Sequence, residues 1–148
     1  MMIRQLDDEI CERLSLAAKE KSEEMGLDIS FAIYDENALP LLYRRFRNAP
    51  ILSTTLVNQK AYTSAMMFMP TERLRELCMD GGPLMGLQNN NPDITLVSGG
   101  YPLFINGKCV GGIGVGGGRK DEDSIIAGHV LKVFEELIKE KNIIYFKE

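Results

Sequence analysis

Six glycines fall within the eight positions from Gly111 to Gly118, inside the run "VGGIGVGGGRKDEDS" that spans Val110 to Ser124. No other stretch limits the fold so tightly. Glycine in a strand interior gives up side-chain packing and raises the entropy cost of order, so this many imply close approach of another backbone. Gly112, Gly114 and Gly117 satisfy G-x-G-x-x-G, the spacing of a phosphate-cradling loop, but the context does not match. The strand before them follows Asn106-Gly107, the strongest short hairpin signal, which makes its neighbour antiparallel. A dinucleotide loop needs a parallel strand–loop–helix unit and an acidic residue about 20 positions on; Glu135 and Glu136 fall there, inside a helical pattern. No Lys-Ser/Thr follows, so a P-loop is excluded as well. The glycines instead predict a strand crossed closely by a helix or a second subunit. That strand runs into a loop at a helix N-terminus, which can accept an anionic group such as a carboxylate.

The rest of the chain supplies partners for that strand. Ile3, Leu6, Ile10, Leu14, Ala17 and Ala18 recur at three- and four-residue steps, predicting an amphipathic helix that ends near Gly26. "DISFAIY" and "PLLYRRF" predict a first hairpin around "DENAL". Ser53, Thr54 or Thr55 can cap a second helix through "LVNQKAYTSAMMFM", which Pro70 stops; Thr71 can cap a third, "ERLRELC". From Met79 to Asp93 the chain shows neither period, the mark of a functional loop or of a plain surface connection. Three more strands follow in "ITLVSG", "YPLFI" and "KCVGGIGV". Carboxylates in "DEDS" open a last helix whose apolar face is Ile126, Val130, Val133, Phe134, Leu137 and Ile138. The sum is one domain, residues 1–148, of α/β (α+β) class with a five-stranded antiparallel sheet.

Charge and cysteine content narrow the partners. Seventeen basic against 21 acidic side chains leave a net charge of −4, with no basic excess to displace counterions from nucleic-acid phosphates. Cys11, Cys78 and Cys109 are scattered and odd in number, with no C-x-x-C, as a reducing cytosol permits. The N-terminus has no apolar core of a signal peptide, and no run approaches the ~20 apolar residues of a membrane span. The expectation is a cytoplasmic protein that binds neither nucleic acid nor membrane.

Four segments, "NQKAYTSAMMFMPT", "GGPLMGLQNNN", "GGYPLFINGKCVGGIGVGGG" and the acidic pair Asp121 and Asp123, stand in an order and spacing that resembles the GlcG/HbpS family. The resemblance covers nearly the whole chain. It is closest to the C-terminal domain of PduO-type proteins and to small proteins encoded with diol and glycerol dehydratases. It implies a profilin-like fold, with terminal helices and a helical crossover packed on the sheet, and a homodimer or larger even-numbered assembly. Some relatives bind haem and others are linked to cobalamin-dependent metabolism. The cobalamin adenosyltransferase activity of PduO proteins lies in a separate domain that this chain lacks. Departures occur at Arg47, where the family has an acidic residue, and at Gly116, where it has a hydroxyl. Haem-binding PduO-type domains use an N-terminal histidine, and this sequence has none there, which counts against iron ligation by that route.

Among candidate site residues, Arg45 and Arg47 share one face of a strand and could hold propionates, phosphates or another carboxylate; salt bridges to Asp and Glu would explain them too. Lys60 matches a family lysine on a helix facing the sheet, where an ammonium needs a partner or a ligand. Gly99, Gly100, Gly116 and Gly117 complete the proposed ligand-binding set. His129, the sole histidine, is the one candidate metal ligand, without a second histidine beside it. Met66, Met67 and Met69 with Phe68 form an apolar cluster that suits a flat ligand, a core or an interface. No catalytic residue is assigned. The functional expectation is a small-molecule-binding accessory protein whose cofactor is unknown, with haem or another tetrapyrrole as one candidate. Two other readings stand beside it. One is an enzyme on a small carbonyl or carboxylate compound using Lys60 or His129 as base; the other is an assembly factor of a metabolic complex.

Overall fold

Asp7 opens the first helix: its carboxylate accepts the Ile10 N–H at 2.9 Å, and Asp8 and Glu9 sit in the first turn against the positive end of the dipole. The computed structural model describes residues 5–119 and 121–147, so Ile3, assigned to this helix from the sequence, lies outside the described residues. Helix α1, Asp8–Glu24, buries Ile10, Cys11, Leu14, Ala17 and Ala18, and Gly26 follows it with φ +70°. Strands β1, Ser30–Asp35, and β2, Pro40–Arg45, form the expected hairpin, its turn fixed by the Asp35 carboxylate accepting from the Asn37 and Leu39 N–H groups. Helices α2, Ile51–Met67, and α3, Thr71–Cys78, come next. Strands β3, Gly100–Ile105, and β4, Lys108–Gly116, join through Asn106 and Gly107, both at positive φ as a type I′ turn demands. Helix α4, Glu122–Lys147, closes the chain.

The sheet has four strands in the order β2-β1-β4-β3, with antiparallel neighbours throughout. The expectation of five strands is therefore corrected. "ITLVSG" is strand-like in composition but forms no strand: two of its N–H groups go to threonine hydroxyls, the Ile94 N–H goes to the Asn91 carbonyl, and its last carbonyl, Gly99, accepts the Val115 N–H of β4 at 3.0 Å. Thr95 N–H donates to the Thr63 hydroxyl of α2 at 3.0 Å, and Val97 N–H to the Thr95 hydroxyl at 3.2 Å. The caps are corrected too. Helix α2 begins at Ile51 with Pro50 as its N-cap, three residues before the earliest expected cap, Ser53, and α3 begins at Thr71 itself with Pro70 as its N-cap, neither with a side-chain cap hydrogen bond. Pro50 and Pro70 occupy the N-cap positions themselves, where proline has no side-chain oxygen to accept the first-turn N–H groups.

Alternation along the sheet separates two layers of packing. Phe31, Ile33, Ile113 and Val115 face α1 and α4 in the main core, with Leu14, Ala18, Ile126, Val130 and Phe134. The opposite face is nearly bare: Ala32 meets Val57 and Ala61 of α2, and beside it run Gly112, Gly114 and Gly116. A Cβ on Gly112 would lie 2.6 Å from the Ala61 carbonyl oxygen, and one on Gly114 would strike the Val57 carbonyl. The backbone over the glycines is thus this chain's own α2. The alternative, a second subunit laid over that segment, is not what the glycines accommodate.

Candidate functional site

Helix α2 lies so close to β4 that its one inward-facing lysine cannot reach solvent. Lys60 is 1% exposed. Its Nζ donates to the Val115 carbonyl at 2.6 Å and to Asp123 Oδ2 at 3.2 Å. Asp123 lies in the first turn of α4, and its Oδ1 accepts the Gly118 N–H at 2.8 Å. Burial pulls the Lys60 ammonium below the ordinary lysine value, and the Asp123 carboxylate pulls it partly back. A buried charge without such partners would be far more costly.

Five of the sequence-derived site residues converge here. Gly99, at φ +120°, leaves the space in which a Cβ would lie 3.0 Å from both Lys60 Nζ and Asp123 Cβ. Gly100 passes 2.6 Å, by the same measure, from the Lys60 carbonyl oxygen, while its N–H donates to Thr71 Oγ1. Gly116 lies under Val57 and Ser53, and Gly117, at φ +118°, against the Asp28 backbone. The missing member of this constellation was Asp123. A buried lysine calls for a carboxylate, but with 21 acidic residues in the chain no local signal singles out Asp123.

The arginines are elsewhere. Arg45 Nε donates to the Ala49 carbonyl. Arg47 spreads its guanidinium over Asp28 Oδ1 at 2.7 Å, Glu23 Oε1 at 3.2 Å, Ser22 Oγ and the Leu27 carbonyl, on the α1 side of the sheet. It ties the end of α1 to the chain beyond β2, the salt-bridge alternative realised within one subunit. His129 lies half-buried further along α4, and no group of three His, Cys, Asp or Glu suited to a metal occurs among the described residues. Burial raises the Cys78 and Cys109 thiols above their usual value, which disfavours the nucleophilic thiolate.

Open concavities lie to either side of this sealed pair. A groove of about 480 Å³ between α3, β3 and α4 is walled by Phe68, Met69, Tyr101, Pro102, Phe104 and Leu131, with Arg73 at its edge. Phe68 is 63% exposed and Phe104 43%, unusually bare for side chains of their size. Arg73 has no ion-pair partner among the described residues. The iron-ligating atom types in the groove's lining are the Met69 thioether, the Tyr101 phenol and the carboxylate of Glu135, which shares the groove with Arg73. Tyr101 donates to Glu72 Oε1 at 3.1 Å, and burial, with Glu72 beside it, raises its pKa, holding the phenol neutral. The walls fit the body of a flat tetrapyrrole and Arg73 fits a carboxylate; the residues offer no strong axial ligand for its iron.

A helix bedded on a glycine stripe, with a sealed lysine–carboxylate pair at its centre and an aromatic groove at its edge, defines a small α+β domain rather than a nucleotide fold. The family description "Haem degrading protein HbpS-like" matches residues 6–132, and the chain belongs to that HbpS-like family. A 15.0 kDa protein from the dhaT–dhaS intergenic region of Citrobacter freundii is 31% identical over 126 residues, covering 84% of this chain and 89% of that protein. The corrinoid adenosyltransferase PduO of Salmonella typhimurium is 28% identical over 116 residues, 78% of this chain but 34% of that protein. This chain therefore spans about a third of PduO. Among solved structures, a PduOC:heme complex is 26% identical with a TM-score of 0.83, covering 88% of this chain and 94% of that one. A double mutant of Streptomyces reticuli HbpS is 28% identical with a TM-score of 0.81, covering 90% and 89%. No helix among the described residues is long and apolar enough to cross a membrane.

Proposed function

We propose that this protein is a small-molecule-binding accessory protein whose ligand is a flat, carboxylate-bearing tetrapyrrole, haem among them, held in the groove between α3, β3 and α4. The observation that carries the reading is the pairing of exposed Phe68 and Phe104 with Arg73, which has no ion-pair partner among the described residues, in one groove of about 480 Å³ that Glu135 also lines. The haem complex of the similar PduOC structure supports it. Aromatic walls take the macrocycle, and a guanidinium takes a propionate by paired charged hydrogen bonds. Recognition is of the macrocycle and its carboxylates, with the iron contributing little. A role beside cobalamin-dependent diol or glycerol metabolism is consistent with the names of the relatives, but the corrinoid adenosyltransferase activity is not carried over, since two thirds of PduO lie outside the match. The even-numbered homo-oligomer remains part of this proposal, supported by the edges of β2 and β3, which have no outer neighbour strand among the described residues, and by Ile51 and Leu52 exposed at the start of α2.

Titration of the purified protein with haemin and with iron-free protoporphyrin IX tests the reading. Both should bind with comparable affinity, haemin without a sharp Soret shift, and Arg73→Ala should weaken both about fivefold, as befits an exposed charged contact. A tight haemin complex with no counterpart for the iron-free ring would place recognition in an iron ligand instead. If neither ring binds, the tetrapyrrole reading is wrong.

A further inference from the structure

A second groove, of about 440 Å³, lies on the outer face of α2 and has the opposite chemistry. Tyr34 and Tyr62 supply its aromatic surface, and Thr55, Asn58, Gln59 and Asp93 its polar groups. The lining contains no lysine, arginine or histidine, so Asp93 is its only group charged at neutral pH. Its negative field reaches Tyr34, whose phenol is pushed up by burial first and by Asp93 second.

The end of the long loop is fastened over this groove by side chains. Asn91 Nδ2 donates to the Tyr62 hydroxyl at 3.0 Å, Gln59 Nε2 to the Pro92 carbonyl at 3.2 Å, and Thr63 Oγ1 to the Asp93 carbonyl at 3.4 Å. Asn91 Oδ1 also accepts the Asp93 N–H at 2.9 Å. Four bonds thus hold the Asp93 backbone and its neighbours while leaving the carboxylate itself without a hydrogen-bond partner among the described residues. Tyr34 donates to Asn58 Oδ1 at 3.1 Å, fixing the other wall. A free carboxylate, spare acceptors on Gln59 and Thr55 and two tyrosine rings attract positive charge and repel anions.

We propose that this groove is a binding site for a small organic cation, an alkylammonium group seated against Tyr34 and Tyr62 with Asp93 as counter-ion. The site shares no lining residue with the tetrapyrrole groove. Tetramethylammonium and n-butylammonium serve as probes, with tert-butanol and n-pentanol as neutral counterparts of similar shape. Amide and side-chain NMR shifts of Tyr34, Tyr62 and Asp93 should saturate with the cations and not with the alcohols, and added salt should weaken the response. Asp93→Asn, which keeps every backbone bond described above, should lower cation affinity about fivefold, and Tyr62→Leu by a similar factor. Porphyrin binding should be unchanged in both variants. Equal response to cations and alcohols, absence of saturable shifts, or full affinity in well-folded Asp93→Asn protein would each overturn the proposal.

Discussion

At Lys60 an ammonium ion sits among backbone atoms of a glycine-lined crossing, held by one carbonyl and one carboxylate. Removing a single partner strands the other charge, so Asp123→Ala should destabilise the fold by ~3–5 kcal/mol, while Lys60→Met with Asp123→Leu should lose less. Urea unfolding measures both. The pair also sets an alkaline pH dependence. Lys60 titrates below its ordinary value of 10.5, so between the two values the unfolded chain binds more protons than the folded one. Stability from this group therefore falls as pH drops through the folded value and is fully present above 10.5. Lys60→Met should abolish that slope and leave porphyrin affinity intact. Loss of the ligand in a folded Lys60→Met protein would move the binding site to the sealed pair. The placing of Lys60 on a sheet-facing helix, and with it the need for a partner or ligand, came from the family resemblance of "NQKAYTSA" rather than from the helix's own pattern. Its counter-ion was not legible, because Asp123 is 63 residues away and nothing local announces the contact.

Elements were legible where local chemistry decides them. The Asn106-Gly107 turn, the Asp35 turn and the apolar face of α4 follow from residue types a few positions apart. The "ITLVSG" strand failed because β propensity describes a half-buried pleated surface, and two of that segment's N–H groups bond instead to hydroxyls, Thr63 of α2 and its own Thr95. Helix starts after Pro50 and Pro70 were missed because hydroxyl caps were sought where proline itself holds the N-cap position. The glycine stripe marks a crossing, as expected, but the second subunit that the family resemblance implied there is replaced by the chain's own α2, which β4 alone does not announce. The choice has a direct test. Gly114→Val drives a branched side chain into the Val57 carbonyl and the Ala61 N–H, so thermal unfolding should show a loss at or above the upper end of the ~1–3 kcal/mol usual for overpacking. Light scattering should report the same assembly as the parent protein. A change of oligomer with stability preserved would restore the stripe to an interface.

For the molecule as a whole, the two sheet edges remain the unfinished business of the fold. Among the described residues neither β2 nor β3 has an outer neighbour strand, and natural sheets blunt such edges or cover them. Light scattering at micromolar concentration should therefore give a dimer or a larger even-numbered particle; a monomer would remove assembly from the proposal. The strand order carries one more consequence, for the history of each molecule. The interior position beside β1 is filled by β4, which leaves the ribosome long after the first hairpin. Throughout that interval β1 presents an open row of amides and carbonyls, and the lysine of α2 waits for a carboxylate still to be made. Contacts so distant along the chain form late and slow the search for the native state. The glycines of β4 thus lie in the last gap to close, and a nascent chain stalled before Lys108 is a half-built sheet, open to pairing with its neighbours on the same polysome.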